Sequence, residues 1–133
     1  MATGFVQRFK GKIVAQVAYF GSGNVHFPAV DSLTAHASGG QASATQLAYG
    51  YNRFSTVATL NDSGALPLAI AGQFCLVVND GAAAAKIYAQ NGSSDTIDGT
   101  AGSTGVALTN AKRTLFFCLT TGSWISFGGS ESA

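Results

Sequence analysis

Short apolar runs separated by turn-forming residues make up most of this chain, and helical periodicity is weak throughout. Runs rich in Val, Ile, Phe and Tyr that end at Gly, Asn, Asp or Ser are typical of β-strands. The pattern predicts strands at residues 46–49, 53–60, 66–70, 74–79, 86–89, 106–108, 114–120 and 123–127. This spacing of short strands predicts an all-β fold, an antiparallel β-sandwich or a jelly-roll-like barrel.

The segments between these strands carry turn chemistry. Asn79–Gly81 and Thr121–Gly122 favour tight turns, because Gly, Asn and Asp tolerate a positive φ. The Thr120–Ser123 junction, between two aromatic-rich runs, is the strongest hairpin signal. Ala82–Ala85 has high helix propensity but is too short to nucleate a helix. We interpret it either as a tight connection whose small side chains let the backbone approach a neighbour, or as a tolerant surface loop.

Two of the predicted strands are apolar on both alternating faces. Residues 74–78 and 115–119 have this pattern, so we expect them to be buried on both sides or to lie mid-sheet. Residues 123–127 alternate instead, with Trp124 on one face and Ile125 and Phe127 on the other. The expected core residues are Phe74, Leu76, Val78, Leu115, Phe117 and Trp124.

The first 45 residues differ from the rest of the chain. They are predicted to form an N-terminal strand and an extended polar arm, ahead of a β-sandwich domain at residues 46–133. Residues 31–46 are small and polar and cannot bury enough surface to form a core layer. The strand at residues 13–20 is either intramolecular or pairs with a sheet edge of another subunit. As an intersubunit strand it would use Ile13, Val14, Val17, Tyr19 and Phe20.

The fraction of charged residues in the chain is unusually low. Asp, Glu, Lys and Arg make up 10% of the residues, against about 25% in a typical soluble domain. A weakly charged surface is poorly protected against association, so much of it either meets other protein or is a Ser/Thr-rich exterior. The net charge of +1 predicts no nucleic-acid interface, and no apolar run approaches the length of a membrane span.

Residues with catalytic or metal-binding potential are few. His26 and His36 are the only histidines, and no Cys-x-x-Cys pair or closely spaced His pair predicts a zinc site. Cys75 and Cys118 each lie in an apolar run, which favours buried thiols over a disulfide. The acidic residues lie in turns, where carboxylates accept local backbone hydrogen bonds. We therefore expect no enzymatic activity, no metal ion and no cofactor.

A series of short motifs runs through residues 34–47 and 52–127, about two thirds of the chain. In chain order they are Asn52–Arg53, Thr56–Thr59, Leu66–Pro67, Val77–Gly81, Ile87–Tyr88, Asp95–Gly99, Lys112–Arg113 and Trp124. In their order these motifs resemble a small β-sandwich module that is common among structural proteins of tailed bacteriophages. Each motif is short, and the order carries the resemblance.

The resemblance implies a non-enzymatic virion protein. Most closely it implies a capsid decoration or cement protein that binds and stabilises the major capsid shell, usually as a homotrimer on the capsid surface. The implied partners are the major capsid protein or other virion proteins, with no nucleic acid and no membrane. The alternative is a tail, neck or fibre component that contacts host glycans, and copy number per particle separates the two.

Overall fold

The computed structural model of the chain describes residues 26–128, and the expected strand at residues 13–20 lies outside them. The elements in chain order are β1 (Ala29–Thr34), α1 (Gly40–Ser43), β2 (Thr45–Gln46), β3 (Gly50–Thr56), β4 (Asp62–Ala65), β5 (Phe74–Asn79), β6 (Ala85–Tyr88), β7 (Thr96–Ile97), β8 (Thr100–Ala101), β9 (Val106–Leu108), β10 (Lys112–Thr120) and β11 (Ser123–Phe127). A seven-stranded sheet has the order β1-β3-β5-β10-β11-β7-β8, and a four-stranded sheet has the order β2-β4-β6-β9.

The chain winds between the two sheets as a β-solenoid. It passes from β1 to β2, then from β3 to β4, then from β5 to β6, and each pass is one coil. Successive coils stack with parallel strands, β1 on β3 on β5 in one sheet and β2 on β4 on β6 in the other. The predicted antiparallel β-sandwich or jelly-roll-like barrel is therefore wrong. The all-β composition was correct, but local sequence does not specify which strands pair or in which direction.

The strands that follow the third coil reverse direction. β10 pairs antiparallel with β5, and β9 pairs antiparallel with β6, so both sheets end their parallel stacking at the same level. β10 and β11 form the predicted hairpin, in which Gly122 takes a positive φ of 90°. β11 then pairs in parallel with β7, which pairs with β8. The large sheet thus combines a parallel half with a mostly antiparallel half.

The hydrophobic core lies between the two sheets. Its largest fully buried side chains include Trp124, Phe54, Phe116 and Ile87. Gly64 in β4 lets the sheets approach closely, because a Cβ there would lie 2.6 Å from Cζ of Phe54. At this point of the core a small residue of one sheet therefore faces a large residue of the other.

Buried polar side chains hold the connections between strands. The amide of Asn79 donates to the carbonyls of Ala83 (2.9 Å) and Leu108 (2.8 Å), while its oxygen accepts from N–H of Gly81 (2.9 Å). Because every polar atom of this fully buried side chain has a partner, its hydrogen bonds offset the cost of desolvation, and it fixes the end of β5 to β9.

Residues 29–46, which include most of the predicted polar arm, are part of the two sheets. β1 pairs with β3 and β2 pairs with β4, so the expected domain boundary after residue 45 falls inside β2. His36 and Ser63 exchange backbone hydrogen bonds of 2.9 and 2.8 Å. Backbone pairing, which does not need large side chains, accounts for the order of this small, polar segment.

The core-facing side of two strands is the reverse of the expected one. Phe74, Leu76 and Val78 in β5, like Leu115 and Phe117 in β10, are only half-buried, while the residues between them are buried. The buried set is Cys75, Val77, Asn79, Thr114, Phe116 and Cys118. Trp124 is fully buried, and Ile125 and Phe127 lie on the opposite face of β11. Because β5 and β10 are apolar on both faces, alternation gave no basis for choosing the inner one.

Candidate interaction surface

The described residues form no cluster that could hold a metal ion. Across residues 26–128, no group of three or more His, Cys, Asp or Glu side chains lies close enough to bind a metal. Cys75 and Cys118 are both free and buried, as predicted. Burial raises the pKa of the Cys75 thiol to about 12, so this thiol is protonated and unreactive at neutral pH.

Three acidic side chains accept hydrogen bonds from backbone or hydroxyl groups. Asp62 accepts from the backbone of Ala58 and Thr59 and from the Thr59 hydroxyl. Asp95 accepts from N–H of Ala69 at 2.8 Å, and Asp98 accepts from the backbone and hydroxyl of Ser126. The bonds of Asp62 to Ala58 and Thr59 are local, as expected for a turn, whereas Asp95 and Asp98 bond residues 26 and 28 positions away in the chain.

The most unusual feature is the outer face of the seven-stranded sheet, the side that points away from the core. Its side chains align in rows across neighbouring strands. One row joins Tyr51, Leu76, Leu115 and Phe127, and the next joins Phe74, Phe117 and Ile125. The outer face comprises the side chains of Phe27, Tyr51, Phe74, Leu76, Val78, Leu115, Phe117, Ile125 and Phe127.

Three aromatic rings form a cluster at one side of the outer face. The Phe27 ring lies 5.1 Å from the Phe74 ring and 6.2 Å from the Tyr51 ring, and Tyr51 and Phe74 are 5.8 Å apart. All three pairs are edge-to-face, the arrangement that aromatic quadrupoles favour. Even so, Phe27 is 49% exposed and Tyr51 41% exposed, so the cluster still presents apolar surface to solvent.

A shallow cavity of about 280 Å³ opens beside this cluster, between β1, β3 and β5. Its lining is Ala29, Val30, Asp31, Tyr51, Asn52, Arg53, Leu76 and Val78. Arg53 forms its charged edge and bonds Asp31 at 2.8 Å and Asp80 at 2.6 Å. These bonds raise the pKa of Arg53 and lower the pKa of Asp31. Since Arg53 is paired with two carboxylates, the cavity offers an apolar side chain a site without an unpaired charge.

The apolar residues of the outer face are contiguous, whereas apolar exposure on ordinary surfaces is scattered in single residues. Eight large apolar side chains are contiguous across four strands, Phe27 packs beside them, and Phe127 at the far side is 53% exposed. Contiguous apolar surface of this kind marks a site of protein association more often than a solvated exterior. Phe27, which precedes β1, packs its ring on this face from outside the sheet.

The sequence analysis had assigned several residues of the outer face to the hydrophobic core. Five expected core residues, Phe74, Leu76, Val78, Leu115 and Phe117, belong to the outer face, whereas Trp124 lies in the core. The expected intersubunit residues Ile13, Val14, Val17, Tyr19 and Phe20 lie outside the described residues. Phe27 was not singled out from the sequence, and Tyr51 is one of three exposed residues, with Arg53 and Ser55, that alternate with buried neighbours in β3.

Comparison of the chain with family models, with curated proteins and with solved structures finds no match. The described part of the chain has no helix with the length and apolar character of a membrane span.

Proposed function

We propose that this protein is a non-enzymatic structural component of a larger assembly and that it binds a protein partner through the outer face. The observation that carries the proposal is the contiguous apolar surface on a sheet whose other side already packs against the core. Burial of apolar surface is the main favourable term in protein association, at about 25 cal/mol per Å². A solenoid backbone suits this role, because stacked strands hold the contact residues in fixed positions.

The small number of charged residues favours a protein that binds another protein through apolar contacts over one that attracts a charged ligand. The chain has seven basic and six acidic residues among 133. Two rows of the outer face contain no charged side chain, and the third joins Arg53, Val78 and Arg113. Protein–protein interfaces have few charged residues at their centre and are enriched in aromatic residues and arginine. The two uncharged, aromatic-rich rows and the neighbouring row with Arg53 and Arg113 match this composition.

The series of short motifs in residues 34–47 and 52–127 resembles structural proteins of tailed bacteriophages. On this basis we narrow the proposed assembly to a phage virion. On that basis the partner is the major capsid protein or another virion protein, and the chain acts as a decoration or cement protein, as a homotrimer on the capsid surface. Many copies that each bind weakly would stabilise a shell by mass action, because each binds the assembled state in preference to the separated one.

Substitution of a central residue of the outer face tests the proposal. We expect Phe117→Asp to weaken binding to particles stripped of this protein by at least tenfold, because a carboxylate would be buried in the contact. Leu60→Asp is the matched control, since Leu60 is 67% exposed in the turn before β4 and outside the outer face. Equal binding by both variants and the wild-type chain, with folding retained, would contradict the proposal.

Copy number separates the two virion locations. Quantitative mass spectrometry of purified particles should find hundreds of copies for a capsid protein. A few dozen or fewer would support the tail, neck or fibre alternative instead. Absence from purified particles would contradict the virion assignment while leaving the outer face as a binding surface.

A further inference from the structure

We propose that two copies of the chain pair through their outer faces in the free protein, and that Phe127 of each copy enters the cavity of the other. The two copies would be related by a two-fold axis that runs parallel to the strands, between β5 and β10. This pairing concerns the protein away from any particle and goes beyond the function proposed above.

The two sides of the outer face differ in shape. The cavity of about 280 Å³ lies between β1, β3 and β5, whereas Phe127 in β11 is 53% exposed at the opposite side. A cavity of about 150 Å³ is enough to bind benzene, so the phenyl ring fits. From β3 to β11 the sheet crosses three strand spacings, about 14 Å, so Phe127 is too far away to fill the cavity of its own chain. A second copy, rotated by half a turn, fills both cavities at once.

The positions of the cavity and of Phe127 fix the axis. Midway between β3 and β11 lies the boundary of β5 and β10, so a two-fold axis there places β3 opposite the partner's β11 and β5 opposite the partner's β10. In the first row, Tyr51 then lies opposite the partner's Phe127, and Leu76 lies opposite the partner's Leu115. The same axis that fills the cavity therefore also pairs apolar residues with apolar residues.

The next row continues this match, because Phe74 lies opposite the partner's Phe117. Four strands about 4.8 Å apart and three rows about 6.8 Å apart give a contact of roughly 20 by 20 Å. This area lies at the low end of specific interfaces, whose standard size is about 800 Å² per partner. We therefore expect a reversible dimer that dissociates at micromolar concentration rather than a permanent one.

The charges at the edge of the contact are complementary. Arg113 lies opposite the partner's Val78, beside the cluster in which Arg53 bonds both Asp31 and Asp80. That cluster holds two carboxylates and one guanidinium, so it carries one excess negative charge. The guanidinium of Arg113 supplies the opposite charge from the facing copy, and complementary charges of this kind fix the register of an interface.

Sedimentation velocity of the full-length chain over a range of concentrations tests the pairing. The wild-type chain should show a monomer–dimer equilibrium, and Phe127→Asp should raise its dissociation constant at least tenfold, because a carboxylate would be buried in the partner's cavity. Leu60→Asp is the matched control, since Leu60 is 67% exposed outside the outer face, and it should dimerise like the wild type. A wild-type chain that stays monomeric, or a folded Phe127→Asp variant that dimerises like the control, would overturn the proposal.

Disulfide trapping tests the arrangement of the two copies without added charge. Tyr51 and Phe127 of one chain are about 14 Å apart, whereas a disulfide requires Cα atoms within about 7 Å. Mild oxidation of the Tyr51→Cys, Phe127→Cys double variant should therefore link two chains, and each single variant should stay unlinked. Cys75 and Cys118 are buried and do not compete. Absence of the link in the double variant, or equal linking by a single variant, would overturn this arrangement.

The dimer and the particle would use the same face, so a particle partner would have to replace the second copy. This consequence rests on the proposed function, and the two ideas fail separately. A monomeric wild-type chain whose particle binding is lost on Phe117→Asp would exclude the dimer alone. A dimer that Phe127→Asp disrupts, together with unchanged particle binding by Phe117→Asp, would exclude the proposed function alone.

Discussion

Asp62 illustrates how single residues hold the turns of this fold. The Thr59 hydroxyl donates to it at 2.6 Å, and N–H groups of Thr59, Ala58 and Ser38 donate at 2.9, 2.9 and 3.4 Å. These hydrogen bonds favour the ionised form and hold the pKa of the carboxyl below its ordinary value of 3.8. One side chain therefore joins the turn before β4 to the segment after β1.

The pH dependence of stability follows from this lowered pKa. The contribution of Asp62 is fully present above pH 3.8 and is lost as pH falls through the lower pKa of the folded state. In urea denaturation at pH values from neutral to below 3.8, the wild-type advantage over Asp62→Asn should shrink with acidity. A constant difference across that range would contradict the assignment.

Asp31 provides the control for this measurement. Arg53 lowers the pKa of Asp31 chiefly through a side-chain hydrogen bond, so Asp31→Asn should show the same sign of pH dependence. Asp31 is exposed, and salt screens exposed charges. High salt should therefore reduce the effect of Asp31→Asn while leaving that of Asp62→Asn largely in place.

At the scale of elements, β4 and the alanine run show how neighbours override local preference. Residues 61–64 have turn chemistry in the sequence, yet Asp62–Ala65 is a strand, β4, with all four residues buried between β2 and β6. Ala82 and Ala83 both donate to the carbonyl of Val57, at 3.1 and 3.0 Å, which confirms a tight connection in close contact with a neighbour. Small side chains serve both places, since each lies against another part of the backbone or core.

Gly64→Ala should destabilise the protein by overpacking the contact between β4 and β3. A Cβ at residue 64 would lie 2.6 Å from the Phe54 ring, and overpacking of this kind costs about 1–3 kcal/mol. In a Phe54→Leu background the same change should cost less, because the atom it meets is gone. Equal costs in both backgrounds, measured by denaturant unfolding, would refute this contact as the cause.

At the scale of the whole molecule, the described residues share one hydrophobic core. The parallel coils and the antiparallel strands that follow them both pack on it. Cys75 in β5 and Cys118 in β10 lie on either side of the junction between these two parts, and both are fully buried. Because both halves pack on the same core, we expect them to unfold together.

Thiol reactivity measures this cooperativity. Along a denaturant gradient, Cys75 and Cys118 should become accessible to a small thiol reagent at the same midpoint, each followed separately by mass spectrometry. Single variants Cys75→Ala and Cys118→Ala report whether either substitution shifts the transition. Two separated midpoints in the wild-type chain would show that the coils and the antiparallel end unfold independently.

The sequence by itself determined local structure where pattern and turn chemistry agreed. The predicted strands at 74–79, 106–108 and 123–127 match β5, β9 and β11, and the Thr120–Ser123 hairpin is confirmed. The buried thiols were also correct. These features depend on residues close in the chain, and their conformational preferences are fixed by side-chain size, branching and turn residues. The strand predicted at 66–70 failed, since that segment is irregular although Leu66 is buried.

Only the tertiary structure decided the pairing of strands and the side of each that faces the core. β1 pairs with β3 rather than with its nearest strand in sequence, and β5 turns Cys75 and Val77 inward rather than Phe74 and Leu76. Both choices depend on contacts between residues distant in the chain, and a strand apolar on both faces satisfies either one locally. The candidate binding surface could therefore be identified only from the tertiary structure, which shows which side of the large sheet packs against the four-stranded sheet.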